Sequence, residues 1–532
     1  MAENRDVPHF MKIAAFAVAL AAAAPGSQAA AASAGPATAT AASAATDTTR
    51  LTFRPYTIKA FDGIDHPVEM GRLVVPELHA RPTGKKIAVV FLRFKTPSPT
   101  PGPPIVFLPG GPGYPGTLLA RTPMYIALFE KLRARSDVIV IDQRGSGLSE
   151  PTLQCAVRGS LPLDAFETDV KTAGALGSMV RPCVHMVRND GIAIEAYNTV
   201  ESAEDLEDLR QALGAAKLSL IGVSYGTELA LETIRRHGDR IDAAVLVGTR
   251  GPDMAWRLPA ASDFQLKRFA GFVAADPKWG QDLPDFEGTL RHLLERLAWR
   301  PVSVSITDVK TGQRVRVRVG QAGVQAILGS DLNDWARAPL LPAIFASLAR
   351  GDSTLFFRRV EDLVNTTGSG ISVMQIATDC ASGASVERKS LVAREAEKAL
   401  LGNVKNMLVN PAFCDLVGNV DLGPAFREPI YSPVRTLFLT GDLDGITPPF
   451  QAEEVRWGFP NGTHIVVENG WHELLPFHDP QQVVVDFFAG QDVRGRRVTL
   501  PRPSFLTIAD AKAYTAPRSE RPAPGSPGPA QR

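Results

Sequence analysis

Gly222-Val223-Ser224-Tyr225-Gly226 follows an apolar run, Leu218-Ser219-Leu220-Ile221, and precedes a helical-looking one, Glu228-Leu229-Ala230-Leu231-Glu232. Strand, G-x-S-x-G and helix in that order form a nucleophile elbow, a turn so tight that only glycine fits two residues either side of the serine. Its strain holds the serine hydroxyl out at the sheet edge. A serine hydroxyl is a poor nucleophile at its own pKa and needs a base, usually histidine, itself held in one tautomer by a carboxylate. In folds built on this elbow the chain order is serine, acid, base. The acid belongs on Gly441-Asp442-Leu443-Asp444-Gly445-Ile446-Thr447-Pro448, where Asp442 and Asp444 compete. The base belongs after the last strand, on Glu468-Asn469-Gly470-Trp471-His472-Glu473, which selects His472. His464 falls within that strand and His478 where the next helix begins, while His9, His66, His79, His185, His237 and His292 lie outside any matching loop.

Attack on an acyl carbon develops negative charge on oxygen, which calls for fixed N–H donors. One is the backbone N–H of Tyr225. The other is Gly111 or Gly110 in Pro109-Gly110-Gly111-Pro112-Gly113, where glycine lets the backbone come close to the substrate oxygen and Pro112 stiffens the loop. Asp142-Gln143-Arg144-Gly145-Ser146-Gly147-Leu148-Ser149 ends the next strand, and Asp142 and Arg144 are expected to brace the oxyanion loop through charge-assisted hydrogen bonds.

Positioning these loops requires a sheet. From about Leu51, short continuous apolar runs alternate with helical segments: Ile87–Leu92, Ile105–Leu108, Val138–Ile141, Leu218–Val223 and Ala243–Val247 as strands, Ala203–Leu213 as a helix. This is the pattern of an α/β fold whose mostly parallel central sheet is covered by helices on both faces. The alternation breaks near Gly251. Residues 252–430 read as a mainly helical inserted lid with one polar β-like patch at Val302–Val319. Strands return at Thr436–Leu439 and Thr463–Val467, followed by a helix opened by Asp479-Pro480. The expected organisation is a sheet domain over 51–251 and 431–493, a lid over 252–430 and a tail over 494–532 whose end is disordered.

Composition is that of a globular protein, and 57 basic residues against 56 acidic ones give no electrostatic reason to expect nucleic acid or an anionic membrane as partner. Met11-Lys12, the apolar run Ile13 to Ala24 and small residues beyond read as a signal peptide over 1–34, cleaved near Ala29 or Ala34. That run is too short to span a bilayer. Met11 competes with Met1 as the start, because Glu3 and Asp6 suit such a leader poorly. Residues 35–50 are a low-complexity leader. An exported chain, periplasmic or secreted, with Cys155, Cys183, Cys380 and Cys414 is expected to hold two disulfides. Proximity favours Cys155–Cys183 and Cys380–Cys414 among three connectivities. Without a C-x-x-C spacing the cysteines are a poor zinc site, and the chemistry needs neither metal nor organic cofactor.

The chain resembles the prolyl aminopeptidase and tripeptidyl aminopeptidase branch of the α/β-hydrolases. Gly110 to Gly113, Asp142 to Pro151 (DQRGSGLSEP), the stretch from Tyr197-Asn198-Thr199 through Asp205, Asp208 and Arg210 to Thr227, and the loops carrying Gly441 to Pro448 and His472 carry the resemblance. The family's G-x-x-D-x-x-T-P pattern implies Asp444 as the acid. The resemblance implies an α/β-hydrolase fold with an inserted helical lid and an aminopeptidase releasing N-terminal residues or short peptides through an acyl-enzyme on Ser224. The alternative is a carboxylesterase or amidase acting on small esters or amides. Two departures stand out. Pro109 replaces a histidine that begins the oxyanion loop in many members. Cys380 is followed by Ala381 and Ser382, where exported members often carry an acidic residue two positions on. An aminopeptidase must pair the substrate ammonium with a carboxylate, which leaves Asp379 and Glu361, with Asp331 and Asp334, as candidates.

Overall fold

The computed structural model describes residues 50–155, 161–308, 311–367, 371–418 and 420–515. The expected signal peptide and almost all of the leader, and the end of the tail, lie outside these residues. No helix of the described residues is long and apolar enough to cross a membrane.

The strands in chain order are β1 (Leu51–Lys59), β2 (Asp65–Pro76), β3 (Lys86–Phe94), β4 (Ile105–Leu108), β5 (Val138–Asp142), β6 (Gln154–Cys155), β7 (Leu218–Val223), β8 (Ile241–Val247), β9 (Val302–Thr307), β10 (Arg314–Val319), β11 (Ile371–Ser372), β12 (Arg435–Gly441), β13 (Gly462–Glu468) and β14 (Val498–Thr499). Ten of them form one sheet in the order β1-β2-β3-β5-β4-β7-β8-β12-β13-β14. From β5 onward every pairing is parallel. The central strands are apolar at nearly every position because both faces are covered. Val106 and Leu108 of β4 join one core layer, with helices Thr199–Ala212 and Tyr225–His237. Ile105 and Phe107 join the other, with helices Pro123–Arg133 and His478–Phe488. Each such fully buried side chain contributes roughly 1.5–3 kcal/mol.

The architecture is an α/β-hydrolase fold, a mostly parallel central sheet flanked by helices. It opens differently from the expected strand–helix rhythm. β1, β2 and β3 form an antiparallel meander, and β3 meets β5 antiparallel. Most of β1 faces away from the core, so it lacks the continuous apolar run by which the central strands are recognised.

Between β8 and β12 the chain runs through helices including Pro259–Ala275, Phe286–Trp299, Gln321–Asp331, Thr354–Thr367 and Val373–Ser382, and the β9–β10 hairpin that accounts for the polar patch. This insertion has its own core, which Leu443 and Trp471 enter from two sheet-edge loops and Phe505 from beyond β14. Strand β11 of the insertion pairs with β6, and two disulfides, Cys155–Cys183 and Cys380–Cys414, lie in the apolar cluster beneath that pairing.

Candidate active site

Ser224 follows β7 with φ 54° and ψ −121°, a backbone conformation that a non-glycine residue adopts only under constraint. The constraint is packing. A Cβ at Gly222 would lie 2.5 Å from the Gly226 carbonyl oxygen, and one at Gly226 would lie 2.0 Å from that of Leu108. Only glycine at both places lets the helix start this close to β4. The Ser224 N–H donates to the Val247 carbonyl at 2.9 Å, and the Thr227 hydroxyl donates to the Ser224 carbonyl at 2.6 Å. The Tyr225 hydroxyl lies 3.2 Å from that of Thr199, and its ring faces the buried Arg250 guanidinium.

Of the two aspartates beyond β12, Asp444 meets the imidazole. Its Oδ2 lies 2.8 Å from His472 Nδ1 and accepts the Thr447 hydroxyl at 2.7 Å, while its Oδ1 accepts the N–H groups of Ile446 and Thr447. Asp442 instead accepts from Arg268 at 2.6 Å. Burial works against charge on both Asp444 and His472, but each outweighs it for the other. Asp444 is held below the usual carboxylate range and His472 above the usual imidazole value. An ionised Asp444 fixes the proton on Nδ1 and leaves Nε2 as the acceptor. The ring packs on Gly248, the residue after β8, where a Cβ would come within 3.3 Å of its Cε1. The turn at Val247-Gly248 touches both residues, since the Val247 carbonyl accepts the Ser224 N–H and the imidazole packs on Gly248. His464 lies against Thr440 and Glu453, and His478 is exposed beside Asp479.

Gly110 packs directly on the serine, its Cβ direction 3.0 Å from Ser224 Cβ and 3.6 Å from Oγ, and Gly111 follows with φ 111°. Tyr225 opens its helix, so its N–H has no intrahelical acceptor. The bracing of this loop differs from expectation. Arg144, fully buried, points away from it and grips Asp205 through two hydrogen bonds of 2.7 and 2.6 Å, together with the Glu77 and Ala196 carbonyls. Gln143, which sequence reasoning passed over, donates to the Pro109 carbonyl at 3.0 Å. Asp142 accepts the Thr117 N–H and hydroxyl and the Leu148 N–H. Burial pushes its carboxyl up to about 6, against those hydrogen bonds.

The carboxylates nominated for a substrate ammonium are engaged elsewhere. Asp379 accepts from Arg250 at 2.6 Å, and the same guanidinium pairs with Glu228. Asp331 binds Arg359, Asp334 lies beside Arg337, and Glu361 accepts the Thr307 N–H of β9. Glu473, next to His472, accepts the Tyr125 hydroxyl at 2.9 Å. Sequence reasoning also missed Thr447, Gly248 and Gln265. Gln265 donates to the Leu443 carbonyl at 2.6 Å and ties the acid loop to the insertion. A threonine three residues after an acidic turn residue was a usable signal. Gly248 carried none, because its neighbour His472 is brought to it only by the fold.

The arrangement combines a serine in a strained elbow, a carboxylate-bound imidazole and a glycine loop against the serine, the constellation of the α/β-hydrolase class. Residues 103–289 match the family model described as alpha/beta hydrolase fold. The chain is similar to serine protease Hip1 of Mycobacterium tuberculosis, 29% identical over 191 residues, 34% of this chain and 36% of the relative. It is also similar to the tripeptidyl aminopeptidase of Streptomyces coelicolor, 30% identical over 175 residues, 31% of each chain. The matched segments span about a third of the length of these curated relatives. A solved thermophilic esterase from Thermogutta terrifontis aligns with 79% of this chain and 97% of its own, at 18% identity and a TM-score of 0.31.

Proposed function

We propose that this chain is an exported serine hydrolase that cleaves an acyl ester or amide through a covalent intermediate on Ser224. The observation that carries the reading is the 2.8 Å contact between His472 and Asp444, with His472 packed on Gly248, the residue after the one that binds the N–H of the strained Ser224. His472 Nε2 takes the hydroxyl proton as Ser224 Oγ bonds to the acyl carbon. The Tyr225 N–H and that of Gly111 or Gly110 receive the oxyanion. The proton passes from His472 to the leaving group as the scissile bond breaks. Water, deprotonated by the same imidazole, then releases the acid and restores the serine. Two disulfides support export.

Two substrate classes remain to be separated. Release of N-terminal residues is supported by the similarity to a tripeptidyl aminopeptidase. Cleavage of small esters or amides is supported by the engagement of Asp379, Asp331, Asp334 and Glu361 with other partners, which leaves none of them open to an ammonium. The test compares aminoacyl and tripeptidyl amides with their N-acetylated forms and with short acyl esters. Loss of cleavage on acetylation favours the peptidase, and indifference favours the esterase or amidase. A fluorophosphonate is expected to label Ser224. Ser224→Ala is expected to lower kcat by about 10⁴-fold or more with the melting midpoint preserved; full activity in that variant rules the mechanism out.

A further inference from the structure

Beside the candidate active site the insertion and the segment 161–180 line a cavity of about 360 Å³. Phe166, Leu363 and Val404 make much of its wall apolar, and Ser372, Gln375 and Lys405 interrupt it. It adjoins the site on two sides. A Cβ on Gly113 of the oxyanion loop would lie 2.9 Å from Ser372 Oγ and 3.9 Å from the Gln375 backbone nitrogen. On the other side Lys405 is close enough to Asp444 and His472 for its charge to act on both.

The cations here are unusual for this molecule. Arg144, Arg250 and Arg359, which are buried, each hold a carboxylate within 2.7 Å, whereas Lys405 and Arg257 are partly buried. Among the described residues no carboxylate lies within ion-pair distance of Lys405 or Arg257. The Lys405 ammonium donates to the Gly329 carbonyl near the end of helix Gln321–Asp331, which uses one of its three donors. Arg257 donates to the Lys405 backbone carbonyl at 3.3 Å, which holds its guanidinium beside that residue's backbone. Burial, aided by Arg257, presses the Lys405 amine down to about 7, with Asp444 and Asp331 opposing. Burial likewise lowers Arg257, against Asp379, Glu228 and Asp444 and with Arg250. A cation at a mostly apolar wall, with a second close behind it and no carboxylate paired to either, is costly until an anion arrives.

We propose that this cavity receives a carboxylate of the substrate, paired by Lys405, so that the enzyme prefers esters or amides carrying a second, anionic group. The inference rests on the assignment of Ser224 as nucleophile. A substrate ammonium on this side would face like charge. Binding a carboxylate stabilises protonated Lys405. The preference is therefore full below pH 7 and weakens as the pH rises through the amine's titration.

The test measures kcat/KM for p-nitrophenyl hemiglutarate against p-nitrophenyl valerate, which places the carboxylate on the acyl chain. The valeryl ester of 4-hydroxybenzoate against phenyl valerate places it on the leaving group. One charged ester is expected to be favoured by about tenfold or more, the scale of a hydrogen-bonded charge pair. Lys405→Met should bring that ratio to about one, and Lys405→Arg should retain part of it. Lys405→Gln serves if the methionine variant does not fold, as judged by its melting curve. A ratio near one in the unaltered enzyme, or a preference that survives loss of the amine, overturns the proposal while fluorophosphonate labelling of Ser224 still upholds the hydrolase. Absence of both labelling and ester turnover would instead sink the nucleophile assignment, and the carboxylate site with it.

Discussion

At the scale of single residues, the reading from sequence depended on motifs whose geometry is local. The elbow and the glycine loop each fix their own backbone, so Ser224 and Gly111 or Gly110 could be nominated without knowing what stands opposite, whereas Asp444 is preferred over Asp442 only through the family resemblance. Gly248 could not be nominated at all. Its requirement comes from His472, which lies 224 positions further along the chain. With φ 62° and a Cβ direction 3.0 Å from Thr447 Oγ1 and 3.3 Å from His472 Cε1, it is the floor on which the imidazole rests. Gly248→Ala is therefore expected to push His472 aside by a few tenths of an ångström and to lower kcat on a neutral ester by about tenfold, a fraction of what a full ångström of misplacement costs. The left-handed backbone adds a stability loss of about 1 kcal/mol. Steady-state kinetics alongside a melting curve separate the two effects. Unchanged kcat would mean that the ring has room to spare.

Elements reveal what single motifs hide. The sequence marked Arg144 for its place beside Asp142, yet its partner is Asp205 on helix Thr199–Ala212, a pairing that only the packing of that helix on the end of β2 creates. The same junction holds His79, whose imidazole meets Glu201 at 2.5 Å and Asp208 at 3.2 Å. Burial works against its charge, but hydrogen bonds to Asp208 and Glu201 and the field of Asp205 prevail, raising its pKa from 6.5 to about 9. The folded protein thus holds this proton more tightly than the unfolded chain. The stabilisation is fully present below pH 6.5 and is lost as the pH rises through 9. His79→Gln should destabilise the protein by about 2–3 kcal/mol at pH 6 and by little at pH 10. Urea unfolding of both proteins at the two pH values reads the difference, and a penalty independent of pH would mean that His79 acts by packing alone.

For the whole molecule, the central strands were legible because burial on both faces writes a continuous apolar run. The antiparallel opening was not, because most of β1 is exposed. The role of the segment beyond β14 was equally hidden, since Phe505 stands among Pro501, Pro503 and Thr507 with no periodic neighbours. In the fold its ring packs 5.3 Å from Phe269, and Phe269 in turn lies 6.4 Å from Trp471, the residue before His472. All three are buried in the core of the insertion. The stack joins the segment beyond β14, the insertion and the base loop, so a segment that follows the sheet helps to hold the insertion over the site, together with the β11–β6 pairing and Gln265. Phe505→Ala is expected to cost about 3–5 kcal/mol of unfolding free energy, and Phe505→Leu, which nearly refills the space, less than about 1.5 kcal/mol. Removing the ring also frees Trp471 to relax. At a temperature well below the melting midpoint, kcat on a neutral ester should then fall severalfold in the alanine variant and recover in the leucine variant. Loss of stability with kcat intact in both would show that the base loop is held by Gly248 and Asp444 without help from the insertion core.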